Sequence, residues 1–314
     1  MGHFSRVSLR VAAAAALFFT VAPAPSGGQV ARFSASTNLV VLSATAVDRK
    51  GRPVTDLRRE EFRVYEDGRP QRLDHFSLGR ESRARLLLLV DASGSMTMQL
   101  KTASARMAVT QILAALEPHD QAALAGFDHR YFGLVPFTND RRKIAAAFDE
   151  IETFGSTGLH DALDRAAHDL ASHGEGRRAV VVITDGVDTA SHARAEDVIA
   201  RSRALDVPIY AVTVVSPIDD PQSERFAGKE RPAAAVVGAN VLARYAEHSG
   251  GAAWVVSDFG GLRTAAASIA YELKHQYRLG YDPPEGPPRF RRVEVRTTRK
   301  GVQVRTRSGY VPQS

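Results

Sequence analysis

The 314-residue chain contains no cysteine, which excludes disulfide frameworks, thiol nucleophiles and cysteine-ligated zinc or iron–sulfur sites. Any chemistry must therefore use oxygen and nitrogen donors. Aromatic residues are scarce at 7%, with one tryptophan. There is neither an aromatic–basic stretch of the kind that stacks on bases nor a Cys/His finger, so nucleic acid is not expected as a partner. No sign of charge dominates, because 41 basic against 35 acidic residues leave only +6, a mixed surface rather than a polycation. What is present, 44% hydrophobic and 24% charged residues, is the balance of an ordinary globular protein, with one large domain and something smaller.

The first residues read Met1 to Arg10 with two arginines, then the apolar run Val11–Ala22, then Pro23-Ala-Pro-Ser-Gly-Gly28. That order, charged then greasy then small, is the order of a secretory signal, and the apolar part is shorter than the roughly 20 residues that span a bilayer. Residues 1–28 are expected to be a signal peptide, cut near Ala24 or Gly28, with an uncleaved anchor as the alternative. Losing Arg6 and Arg10 lowers the charge from +6 to +4, since the segment holds no acid. The protein is thus expected to be exported, to the periplasm or beyond.

Residues 29–82 carry short alternating runs, Leu39–Val47, Phe62–Tyr65 and Leu73–Phe76, separated by turns at Asp48–Gly51 and Glu66–Gly68. These predict antiparallel strands. From residue 83 the pattern changes. Leu86–Val90 is an unbroken apolar run ending in Asp91, which suits a strand buried on both faces of a parallel sheet. Helical spacing follows over Thr97–Leu116, and strands then alternate with helices to about residue 276. The expected fold is α/β, a doubly wound, mainly parallel sheet flanked by helices. Residues 277–314 return to alternation in Arg291–Arg296 and Val302–Thr306, read as a hairpin that packs with the N-terminal strands into one antiparallel β module. The polar, proline-containing segment 216–232 is expected to be a surface loop.

Two acids close buried strands. Asp91-Ala-Ser93-Gly-Ser95 stands where the first such strand gives way to a helix, and Thr184-Asp185-Gly186 follows the run Val180–Ile183. Ligands of open α/β sheets gather at these carboxyl ends. A third piece, Gly155-Ser-Thr157-Gly158, is a loop feeding a helix. Carboxylates and hydroxyls are hard oxygen donors of the kind that Mg²⁺ takes, one or two acids at a time with several waters retained.

Asp-x-Ser-x-Ser, then a loop threonine before a helix, then Thr-Asp-Gly after a hydrophobic strand: this order resembles the von Willebrand factor type A domain and its metal-ion-dependent adhesion site, over about residues 83–276. Val47–Val54, Phe62–Gly68, Tyr277–Tyr281 and Ser308–Tyr310 look like the exported bacterial group related to that domain and abundant in acidobacteria. The resemblance implies a metal site of Asp91, Ser93, Ser95, Thr157 and Asp185. In it the hydroxyls reach Mg²⁺ (or Mn²⁺ or Ca²⁺) directly, the aspartates act largely through water, and a partner protein's Asp or Glu completes the coordination. The sequence departs from the family at Gly155–Leu159, where Gly-Gly-Thr-Ala-Leu is the familiar form.

Other readings stand beside this one. An envelope scaffold with a structural or vestigial ion keeps the same letters. A metal-assisted hydrolase is the more distant alternative, since the serines lack the Gly-x-Ser-x-Gly elbow and no histidine is fixed as a base. His160 and His168 do not have zinc spacing, and Trp254 reads as core packing. Arg289, Arg291, Arg292, Arg296, Arg299, Lys300, Arg305 and Arg307 make the C-terminal segment basic, either as a solvated face or as a contact for anionic envelope material.

Overall fold

The computed structural model describes residues 39–78, 83–97, 99–173, 177–215 and 233–312; the expected signal segment and the 216–232 loop lie outside the described residues. The strands are β1 (Val40–Asp48), β2 (Phe62–Glu66), β3 (Arg69–Gln71), β4 (His75–Leu78), β5 (Ala84–Asp91), β6 (Gln121–Phe127), β7 (Tyr131–Thr138), β8 (Arg177–Thr184), β9 (Ile209–Val214), β10 (Ala253–Val256), β11 (Tyr277–Tyr281), β12 (Arg291–Thr297), β13 (Val302–Arg305) and β14 (Gly309–Tyr310). The helices are α1 (Gln99–Ala115), α2 (Arg141–Asp149), α3 (Leu159–Ala171), α4 (Ala195–Leu205), α5 (Ala233–Ser249) and α6 (Phe259–Lys274).

Six strands form the central sheet in the order β10-β9-β8-β5-β6-β7. Neighbours run parallel except β6 and β7, whose short connection at 128–130 leaves no room for a crossover. The apolar runs explain the burial. Leu86, Leu88 and Val90 of β5 enter one apolar layer and Leu87 and Leu89 the other; β8 divides its residues the same way. Helices α1, α2 and α6 cover the first layer, and α3, α4 and α5 the second. At roughly 1.5–3 kcal/mol for each fully buried Leu, Ile or Val, these central strands supply much of the stability. The doubly wound, mainly parallel sheet expected from the sequence is the one observed. Trp254 packs half-buried in the first layer, stacked on Tyr210 at 6.3 Å between ring centroids.

Two further four-stranded sheets, β13-β1-β11-β4 and β14-β12-β2-β3, enclose a separate apolar core. Leu42, Ala44, Tyr277 and Leu279 come from the first, and Phe62, Val64, Val293 and Val295 from the second. Each sheet interleaves strands from both ends of the chain. Phe62 meets Tyr277 edge-on at 5.1 Å, and the Tyr277 hydroxyl donates to Val54 O at 2.9 Å while accepting from Leu57 N at 3.0 Å.

The expected C-terminal hairpin needs correction. Strands β12 and β13 do not pair with each other: β12 lies between β2 and β14, and β13 pairs with β1. The turn at 298–301 therefore carries the chain from one sheet to the other. Arg299 holds it there, ion-paired to Asp56 and Glu61. The basic segment is also less of a free surface than its composition implies. Arg289 pairs with Asp67, Arg291 with Glu66, Arg296 with Glu294 and Arg305 with Glu272, while Arg307 donates to Val41 O. The expected helix from Thr97 begins instead with a 3₁₀ turn, Gly94–Thr97, ahead of α1.

The β sandwich docks on the amino-terminal rim of the central sheet. Ser308 N donates to His248 O, Ser249 bridges to Arg307, and Arg305 reaches Glu272 near the end of α6. The opposite, carboxyl rim is left to the loops that carry the acids.

Candidate metal centre

β5 and β8 are adjacent, with Val90 opposite Ile183, so the next residues of the two strands come side by side at the rim. Thr184 donates its hydroxyl to Asp91 Oδ2 at 2.5 Å and accepts from Gly186 N at 2.9 Å. The other oxygen, Asp91 Oδ1, accepts from Ser93 N at 2.8 Å. This two-residue turn brings Ser93 and Ser95 to the same side, their hydroxyls 3.1 Å apart. Met96, fully buried, anchors the turn in the apolar layer.

The loop before α3 lies against this turn. Phe154 N donates to Ala92 O at 2.9 Å, and Gly94 N to Gly155 O at 3.0 Å. Thr157 is buried, its amide donating to Thr189 Oγ1 and its carbonyl accepting from Thr189 N and Ala190 N. Among the described residues its hydroxyl makes no hydrogen bond to Asp91, Ser93, Ser95 or Asp185. The structure thus joins Asp91, Ser93 and Ser95 directly and sets the Thr157 loop beside them. The glycine that departs from the family pattern has a packing reason. Gly158 N donates to Asp128 O at 2.6 Å, and a Cβ there would lie 3.2 Å from His129 O. The start of α3 is instead secured from outside, by Asp188 accepting from Leu159 N at 2.8 Å and Ser191 from His160 N at 2.9 Å.

Asp91 is 1% exposed and Asp185 6%. Burial pushes the Asp91 carboxyl up to about 6, and the Asp185 charge adds to the rise, while the Ser93 and Thr184 hydrogen bonds oppose it. Asp185 has a partner that sequence reasoning missed: Lys101 Nζ on α1, 2.8 Å from its Oδ2, with the two side chains only 13% and 7% exposed. Thr184 was also missed. The register of two neighbouring buried strands was its signal, whereas nothing in the sequence distinguished Lys101 from other basic helix residues.

The donor set fits a hard divalent ion. Two cis oxygens on an octahedral Mg²⁺ stand about 2.9 Å apart, close to the 3.1 Å between the serine hydroxyls. No cluster of three or more His, Cys, Asp or Glu suited to a metal occurs among the described residues. A cation here would rely on two carboxylates, neutral hydroxyls and water. Neither serine hydroxyl meets a histidine among the described residues; the His160 ring faces Tyr245 and Asp188 instead.

The sequence profile of the von Willebrand factor type A domain matches residues 86–187, from the first buried strand through the second acid. The chain carries a type A domain. Among solved structures, a von Willebrand factor type A protein from Catenulispora acidiphila is similar at 10% identity and TM-score 0.51, over 89% of this chain and 75% of that one. That extent takes in the β sandwich as well as the type A domain. The conserved hypothetical protein BatB from Bacteroides thetaiotaomicron is 17% identical with TM-score 0.49, over 60% of this chain and 98% of its own. The PilB minor pilin from Streptococcus sanguinis is 12% identical with TM-score 0.44, over 62% and 61%. No curated protein matches the chain in sequence.

Proposed function

We propose that the chain is an exported, non-enzymatic binding protein whose type A domain captures a partner protein through a divalent cation, Mg²⁺ first among candidates, at the carboxyl rim. The observation that carries this reading is the meeting of Asp91, Ser93 and Ser95 in one turn, beside a second buried strand that leads into Asp185. Ser93, Ser95 and Thr157 would hold the ion through neutral hydroxyls, with Asp91 and Asp185 behind them. An ion held mainly by neutral donors keeps net positive character, and an Asp or Glu of the partner supplies the missing charge. Export rests on the N-terminal signal pattern; among the described residues no helix is long and apolar enough to cross a membrane.

Calorimetry of the purified chain with MgCl₂ and MnCl₂ tests the site. Binding is expected in the wild type and lost in Asp91→Asn, which should keep a cooperative melt. Capture of an envelope partner should then require the ion and stop in EDTA. Undiminished capture in EDTA would favour the second reading, a scaffold that assembles without metal. The Lys101–Asp185 ion pair is the observation on that side, since it sets a cation of the protein's own against one of the two carboxylates.

A further inference from the structure

The two acids of the site are both buried and repel each other, and among the described residues Asp91 takes hydrogen bonds from Ser93 and Thr184 and has no cation paired with it. Among the described residues a single positive charge is paired with these acids, the Lys101 ammonium, 2.8 Å from Asp185 Oδ2. It comes from the third residue of α1, the helix that the serine turn leads into. The side chain is largely but not fully covered, at 13% exposure. Lysine suits a contact meant to be given up. Its charge is compact and strongly hydrated and rides on a flexible four-carbon stem, whereas arginine would fork onto the carboxylate and be harder to release.

We propose that Lys101 is the resident cation of this site, neutralising Asp185 in the metal-free protein and competing with the divalent ion for it. This rests on the metal-binding reading above and adds to it the residue that sets when the ion enters. Two buried carboxylates without any cation would repel each other and resist burial; Lys101 removes most of that penalty and keeps the rim folded while it waits. When a divalent ion arrives, an ammonium at the same carboxylate faces a like charge and swings to solvent. Metal affinity is therefore lower than the oxygen donors alone would give, and the loops fold without metal.

The test compares wild type, Lys101→Met and Lys101→Arg by calorimetry with MgCl₂ and by thermal melting in EDTA. Lys101→Met is expected to bind Mg²⁺ at least ten-fold more tightly than wild type, to melt lower in EDTA, and to recover the wild-type midpoint when Mg²⁺ is added. Lys101→Arg should melt like wild type in EDTA and bind Mg²⁺ no more tightly. If Lys101→Met does not fold without metal, Lys101→Gln, which keeps a hydrogen-bond donor for Asp185, carries the same comparison. Equal Mg²⁺ affinity in wild type and the uncharged variants would overturn the proposal and leave the metal site standing. No Mg²⁺ binding by any variant would overturn the metal reading itself, and the competition with it. Binding by the uncharged variants alone would support the proposal in its strongest form.

Discussion

Glu66 in the sandwich and Asp91 at the rim are equally hidden carboxylates, 2% and 1% exposed, yet they are served very differently. Glu66 takes Arg291 on one oxygen at 2.9 Å and the hydroxyls of Tyr281 and Tyr310 on the other at 2.7 and 2.8 Å. Its charge is neutralised and both oxygens are used; burial together with Glu66 pushes the Tyr310 phenol up to about 12. Among the described residues Asp91 receives hydrogen bonds from Ser93 and Thr184, no paired cation, and a second acid nearby. The first arrangement has every feature of a group that only holds the fold. The second leaves a demand for positive charge, the kind of arrangement that sets the proposed binding site apart from a cluster that only holds the fold.

The largest expected effect falls on the saturated cluster. Glu66→Ala strands the buried Arg291 and should cost about 3–5 kcal/mol in urea denaturation, whereas Glu66→Met combined with Arg291→Met should recover most of that loss. A cost below about 1 kcal/mol would erase the contrast with Asp91. Next comes Thr184→Val, which removes a buried hydroxyl from both Asp91 and Gly186 and should cost about 1–3 kcal/mol by the same measurement. It should also weaken Mg²⁺ binding, because Asp91 loses its fixed orientation; unchanged affinity would mean that Thr184 serves the fold alone.

Glu272 stands between the two extremes and gives the smallest effect. Arg305 reaches its Oε1 at 2.6 Å, and the buried Tyr210 hydroxyl lies against the same carboxylate. Burial pushes this carboxyl up and Arg305 opposes only in part. The folded chain then holds the Glu272 proton more tightly than the unfolded chain does. Its contribution to stability is fullest at low pH and is lost as pH rises through the raised folded value. Glu272→Gln should match wild type near pH 4 and gain on it by pH 7 in parallel denaturation series. A gap that stays constant with pH would remove Glu272 from the comparison.

The sequence made the rim legible because its two carboxylates each end a strand that is apolar on both faces. Leu86–Val90 and Val180–Ile183 could only be central, so Asp91 and Asp185 could only emerge at the same edge of the sheet. The side-chain partners were less visible. Thr184 meets Asp91 across a strand pairing that spans 93 positions, and Lys101 has the same look as any solvent-facing lysine on a helix until α1 is laid against the β8 loop. The arch between β12 and β13 was hidden for a related reason. Two alternating segments around a short turn read locally as a hairpin, and what separates them is the presence of β1 and β2, more than two hundred residues earlier, as better-placed neighbours.

The sandwich has an ordering in time built into it. Strand β1 pairs with β11 and β13, and Glu66 receives its last donor from Tyr310, 244 positions downstream. During synthesis β1 has neither of these strands to pair with, and β2 has β3 alone, until most of the described chain has been made. Their edges stay open while the sheet between them assembles from contacts within 84–256. A chain handed unfolded to a translocation pore would profit from that delay, since its first strands are the last to be closed in.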